Sequence, residues 1–154
     1  ESIVGISLVM VGLLGVMTLL IRSSQWNRDV GLKLQATYLA AEGIEVVKNK
    51  IDSNIAKLLS EGNVVWNDGL TSSNDEYEVT STGVLRDFTL RPLRYDLAQG
   101  YGYDAGNPSP FTRKVTVFDS GDDPILVRAE VSWGLGKKVV LEDVFTFWRK
   151  QGTR

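Results

Sequence analysis

The chain has no cysteine and no histidine, and its first proline is Pro92. Each absence removes a class of function. Without cysteine there is no disulfide framework, no thiol nucleophile and no thiolate metal ligand. Without histidine, the commonest general base near neutral pH and the commonest zinc ligand are missing too. The charges nearly cancel, with 17 Lys and Arg against 19 Asp and Glu for a net of −2, so no basic excess is available to track nucleic acid. No nucleic-acid partner is indicated, no cofactor is expected, and enzymatic activity is not expected. The late first proline leaves a helix free to run through the whole first third of the chain.

What is present begins with an apolar run from Ile3 to Ile21, headed by Glu1. At about 1.5 Å per residue it spans roughly 28 Å as a helix, close to the hydrocarbon thickness of a bilayer. A signal peptide would carry its bases ahead of a shorter apolar run, whereas here Arg22 and Arg28 follow it. The expectation is a membrane-type helix from which a basic leader has been removed. A polar collar, 22–29, with Trp26 in it, suits the place where a helix leaves lipid.

Beyond the collar, Val30, Leu34, Thr37, Ala41, Ile44, Ile51, Ile55 and Leu58 recur three and four apart, broken only by Lys48. They predict one apolar stripe of an amphipathic helix. Leu32, Leu39 and Val46 begin a second stripe, and a helix with two apolar faces needs two partners. The helix is expected to run from about Ser2 to about Ser60 and to stop near Gly62. A polar loop, 63–75, then leads to strands at 77–81 and 84–90. The stretch 98–110, rich in glycine, tyrosine and proline, is expected to be irregular. Strands are predicted at 111–118, 125–133 and 139–148, joined by 119–124 and by Gly134-Leu135-Gly136-Lys137. In the middle strand Ile125, Val127, Ala129, Val131 and Trp133 alternate with Leu126, Arg128, Glu130 and Ser132, which predicts one buried face and one wet face. The fold class is therefore α+β, a long N-terminal helix packed on a small antiparallel sheet. The expected division is a stem and collar, 1–29, followed by a head, 30–154.

The stretch Glu1-Ser2-Ile3-Val4-Gly5-Ile6-Ser7-Leu8-Val9 resembles the start of a mature type IV pilin at its near-terminal glutamate. Tyr38-Leu39-Ala40-Ala41-Glu42-Gly43-Ile44-Glu45-Val46-Val47 is similar to the mid-helix segment of pilin-like proteins, and the closing Phe145-Thr146-Phe147-Trp148-Arg149 extends the likeness to the other end. In that family a few residues, usually opened by an aromatic, precede the glutamate, and some members close a C-terminal loop with a disulfide that this chain cannot form. The resemblance implies a structural subunit that waits in the cytoplasmic membrane among lipid. It then polymerises through its stem into a helical filament of identical subunits at the cell surface, serving adhesion, twitching motility or related surface contact. It also implies an inner-membrane assembly platform and a prepilin peptidase as partners. Subunit assembly would be carried by Glu1, Ile3, Val4, Ile6, Gly12 and Gly15. In the family, the matching glutamate neutralises the N-terminal amine of a subunit already in the filament, and the region matching Gly12 and Gly15 often loosens on assembly. A pseudopilin of a type II secretion or DNA-uptake system is the alternative within the family. A single-pass membrane-anchored binding or sensor module is the alternative from another class.

Other candidate chemistry is sparse. Glu42 and Glu45 share a helix face near Lys48 and Lys50, which reads as a solvated surface. Asp119, Asp122 and Asp123, and separately Asp104 with Asn107, have the oxygen ligands that calcium takes. They lack EF-hand spacing, and the same residues serve turns for conformational reasons. Tyr95, Tyr101 and Tyr103 are either an exposed contact loop, with Tyr101 and Tyr103 as its centre, or lids that pack the loop on the sheet.

Overall fold

The computed structural model describes residues 2–62, 64–70, 75–80, 82–118 and 124–147. Helix α1 runs unbroken over Ser2–Glu61. It stops at Gly62, whose φ of 73° suits a glycine and whose N–H donates to Leu58 O at 3.1 Å, closing the last turn. Among the described residues eight strands follow: β1 Asp75–Val79, β2 Leu85–Asp87, β3 Arg94–Asp96, β4 Gly100–Gly102, β5 Asn107–Pro108, β6 Phe111–Phe118, β7 Ile125–Trp133 and β8 Lys137–Phe145. They form a five-stranded sheet in the order β2-β1-β6-β7-β8 and a three-stranded sheet in the order β4-β3-β5, with every pair antiparallel.

By its internal contacts the chain divides into two compact units, Glu1–Gln35 and Ala36–Arg154. The division falls later than the collar, where the first buried side chain among those described on α1 is Ala36. In the first unit every described side chain from Ile3 to Gly31 is exposed.

In the second unit the buried positions of α1 are Ala36, Leu39, Ala40, Gly43, Val47, Ile51 and Asn54. This corrects the face expected from periodicity. Leu39 and Ile51 are buried, but Ala41 is exposed, and Ile44, Ile55 and Leu58 lie at the flanks. The reason is the distance of closest approach. A Cβ on Gly43 would stand 3.0 Å from Val115 Cγ2 and 3.6 Å from Ala129 Cβ, so the helix rests its smallest residues on β6 and β7. Dispersion and burial over that short distance outweigh what the larger residues would gain on a more distant axis.

The strand faces follow the alternation. Ile125, Val127, Ala129, Val131 and Trp133 are buried, and their neighbours are half-buried. Strands β6 and β7 have the expected bounds, while β8 begins at Lys137 and ends at Phe145. Their hairpin turns at Gly134 and Gly136, both at positive φ. The stretch 98–110 is not wholly irregular, because β4 and β5 lie in it and pair with β3. Gly106 makes this possible: at φ 93° its Cβ position lies 2.2 Å from Tyr95 O, a space closed to any side chain. Buried Asn54 ties the loop after α1 back to the helix, donating to Trp66 O at 3.3 Å and to Asp68 O at 2.8 Å.

Candidate functional site

The residues expected to carry subunit contacts lie on the first half of α1, except that Glu1 is outside the described residues. Ile3, Val4 and Ile6 are exposed, and a Cβ on Gly5, Gly12 or Gly15 would meet nothing within 4 Å. The two hydroxyl side chains within the apolar run are satisfied by their own helix. Ser7 Oγ donates to Ile3 O and Thr18 Oγ1 to Leu14 O, each at 2.8 Å. Together with the helical backbone bonds, this leaves those groups with no need of water, the condition for standing in hydrocarbon. By length and composition this helix can cross a membrane.

The apolar surface does not stop at the collar. Trp26, Val30, Leu34 and Tyr38 recur every fourth residue and are 71%, 66%, 55% and 68% exposed. Such spacing is one slowly turning stripe along a helix. Nothing among the described residues covers it.

The second unit holds a polar network that no sequence motif announced. Arg113 of β6 points from the inner face and is fully buried. Its guanidinium donates to Leu39 O (3.1 Å) and Val79 O (2.6 Å) and stands 3.4 Å from Glu42 Oε2, while its Nε has no partner. Glu42 is therefore not part of a plain solvated face, although Glu45 is, paired with Lys48 at 3.7 Å. The signal was available in the sequence: Phe111, Arg113, Val115 and Val117 alternate onto the buried face, and an arginine among them needs carbonyls and a carboxylate.

On the other face of β1, buried Glu78 accepts from Thr89 N (3.1 Å), Thr89 Oγ1 (2.6 Å) and the Arg91 guanidinium. Burial pushes this carboxyl upward, but the bonds from Arg91 and Thr89 outweigh burial and hold it below the usual range. Arg91 is raised in turn by Glu78. Between Thr89 and Arg91, Leu90 sits at φ 61°, a backbone conformation that a leucine adopts at a cost.

Tyr103 is buried, donates from its hydroxyl to Arg113 O at 3.1 Å, and carries Arg91 over its ring at 5.5 Å. Burial pushes its phenol up, against the pull of Arg113. It packs the loop on the sheet and presents no contact surface. Tyr101 is half-buried between Tyr95 and Phe111, at ring distances of 5.0 and 6.2 Å, which leaves Tyr95 as the exposed tyrosine of the three. Asp104 pairs with Arg86 at 3.2 Å, and Asp119, Asp122 and Asp123 lie outside the described residues. Among the described residues no cluster of three or more acidic side chains has the arrangement of a metal site.

Comparison with protein-family models, with curated proteins and with solved structures finds no match.

Proposed function

We propose that the chain is a structural subunit of a cell-surface filament of the type IV pilin kind, held in the membrane by the first half of α1 until it assembles. The observation that carries this reading is the exposed stripe Trp26, Val30, Leu34 and Tyr38. A span from Ile3 to Ile21 suffices for an anchor, and a binding or sensor module on such an anchor has no use for large apolar side chains continuing for three further helical turns. A filament whose core is a bundle of helices does use them, because each helix then meets neighbours along its length. The unpacked glycines Gly5, Gly12 and Gly15 support the same reading, since they let helices approach closely. The resemblance around Glu1 adds the pairing of its carboxylate with a neighbour's amine.

Electron microscopy of material sheared from the cell surface, labelled with an antibody to this chain, tests the proposal. Labelled filaments are expected, and their absence from producing cells rejects it. Glu1→Ala and Glu1→Gln should leave the subunit in the membrane and sharply reduce filament yield. Equal yield at matched membrane levels removes the charge-pairing role.

A further inference from the structure

Because Gly43 seats α1 over β6 and β7, the inner face of the edge strand β8 is left partly uncovered. Register shows the consequence. Leu141 and Phe145 are only half-buried, while Ala129 and Ile125, opposite them on β7, are fully buried. Between β8 and the flank of α1 lies an open groove of about 370 Å³ whose apolar part is Ala41, Ile44, Leu141 and Phe145. Its rim is acidic. Glu45, Glu142 and Asp143 line it, with Lys48 as the one cation among the described residues there. Glu142 is paired with Arg128, and Glu45 with Lys48. Asp143 shares the inner face with buried Val127, and among the described residues it accepts only the N–H of Val144. A carboxylate at a position where the strand's alternation calls for an apolar residue suits an occupant that brings a cation.

We propose that this groove receives the collar of a second copy of the chain, with Trp26 entering between Ile44 and Leu141 and Arg22 reaching Asp143. The inference rests on the filament reading and names one of its contacts. Two features select the collar over the rest of the exposed helix. The run from Ile3 to Ile21 contains no basic residue, so laying it in the groove would strip water from Asp143 with no cation to pair it. Arg22 and Trp26 are four apart and so lie on one helix face, giving a cation and a large flat apolar side chain about 6 Å apart along the axis. A tryptophan in an apolar pocket with a charged pair at its edge is a common form of interface anchor. The order of charge and apolar surface in the groove complements the order on the collar.

The chain contains no cysteine, so the test can use single introduced thiols in the otherwise unchanged chain. Cells making both Trp26→Cys and Ala41→Cys subunits would be treated with a short bis-maleimide, and sheared filaments and membranes would be blotted for dimers. A dimer is expected from this pair, at least tenfold above that from Trp26→Cys with Thr112→Cys, which lies on the opposite sheet face. Without thiols, Arg22→Asp and Asp143→Arg should each lower filament yield severalfold, and the two together should restore it. Filaments that form with no Trp26 to Ala41 cross-link, or a double charge reversal no better than either single one, overturn this contact while leaving the filament reading intact. Failure of the unmodified chain to form filaments overturns both.

Discussion

The two halves of α1 share a backbone and differ in what their side chains meet. From Ile3 to Gly31 every described side chain is exposed, and the glycines there face open space. From Ala36 onward one face is buried on a sheet, and Gly43 is pressed to 3.0 Å from Val115. The same residue type is therefore a cost in one half and a fitted part in the other. A helix interior loses roughly 1 kcal/mol at a glycine, and only a close neighbour returns it. The second half has its neighbour within the chain, and the glycines of the first half have none among the described residues.

The largest effect should come from placing the same charge in each half of the molecule. Ala129→Asp buries an unpaired carboxylate under α1 and should cost on the order of 4 kcal/mol or more. Loss of the head's cooperative near-ultraviolet melting in detergent would show it, and Trp133→Glu should behave alike. Leu13→Asp should leave that melting unchanged and instead weaken membrane insertion, by about 3 kcal/mol on an insertion scale. If Leu13→Asp moved the head's melting as far as Ala129→Asp does, the independence of the two halves would be refuted.

The glycines give the next effect. Gly43→Val should overpack the contact with Val115 and Ala129 and lower head stability by about 2 kcal/mol. Gly12→Ala should strengthen the monomeric helix by about 1 kcal/mol, read as helicity in micelles. A destabilising Gly12→Ala in the monomer would mean that this half has a partner within the chain.

Acid should separate the halves as well. Glu78 has a carboxyl lowered in the folded chain, so its contribution is full above the ordinary unfolded glutamate value. That contribution is lost as pH falls through the lowered folded value. Glu78→Gln should cost about 1.5 kcal/mol at neutral pH, and the gap between variant and parent should shrink in acid. A constant gap between pH 7 and pH 3 would remove Glu78 from that role. The smallest effect is expected at Leu90, where relief of the positive φ slightly exceeds the added chain entropy. Leu90→Gly should raise head stability by roughly 0.5 kcal/mol in urea unfolding.

Much of this architecture is legible from local pattern. The long helix, its stop near Gly62, the strands 111–118 and 125–133 and the inner face of the latter all depend on residues near one another in the chain, and all are found in the structure. The buried face of α1 was not legible, because Ile44, Ile55 and Leu58 compete with Leu39, Val47 and Ile51 for the same sheet. Apolarity alone ranks them almost equally. The three-stranded sheet was hidden for another reason: its strands are two and three residues long, too short for any alternation to register. The Arg113 network was half visible, since the arginine breaks its strand's pattern, but its acceptors on Leu39 and Val79 lie 74 and 34 residues away.

Periodicity, chain length and turn chemistry were enough to establish a long helix with an apolar first half and an antiparallel meander with one wet face, because these are properties of neighbouring residues. Which face of α1 meets the sheet, why β8 keeps an uncovered inner face, and where Arg113 and Tyr103 find partners depend on how closely two elements approach. That distance is governed by the small side chains Ala36, Ala40 and Gly43 against Val115 and Ala129, a fit that exists only once helix and sheet are packed.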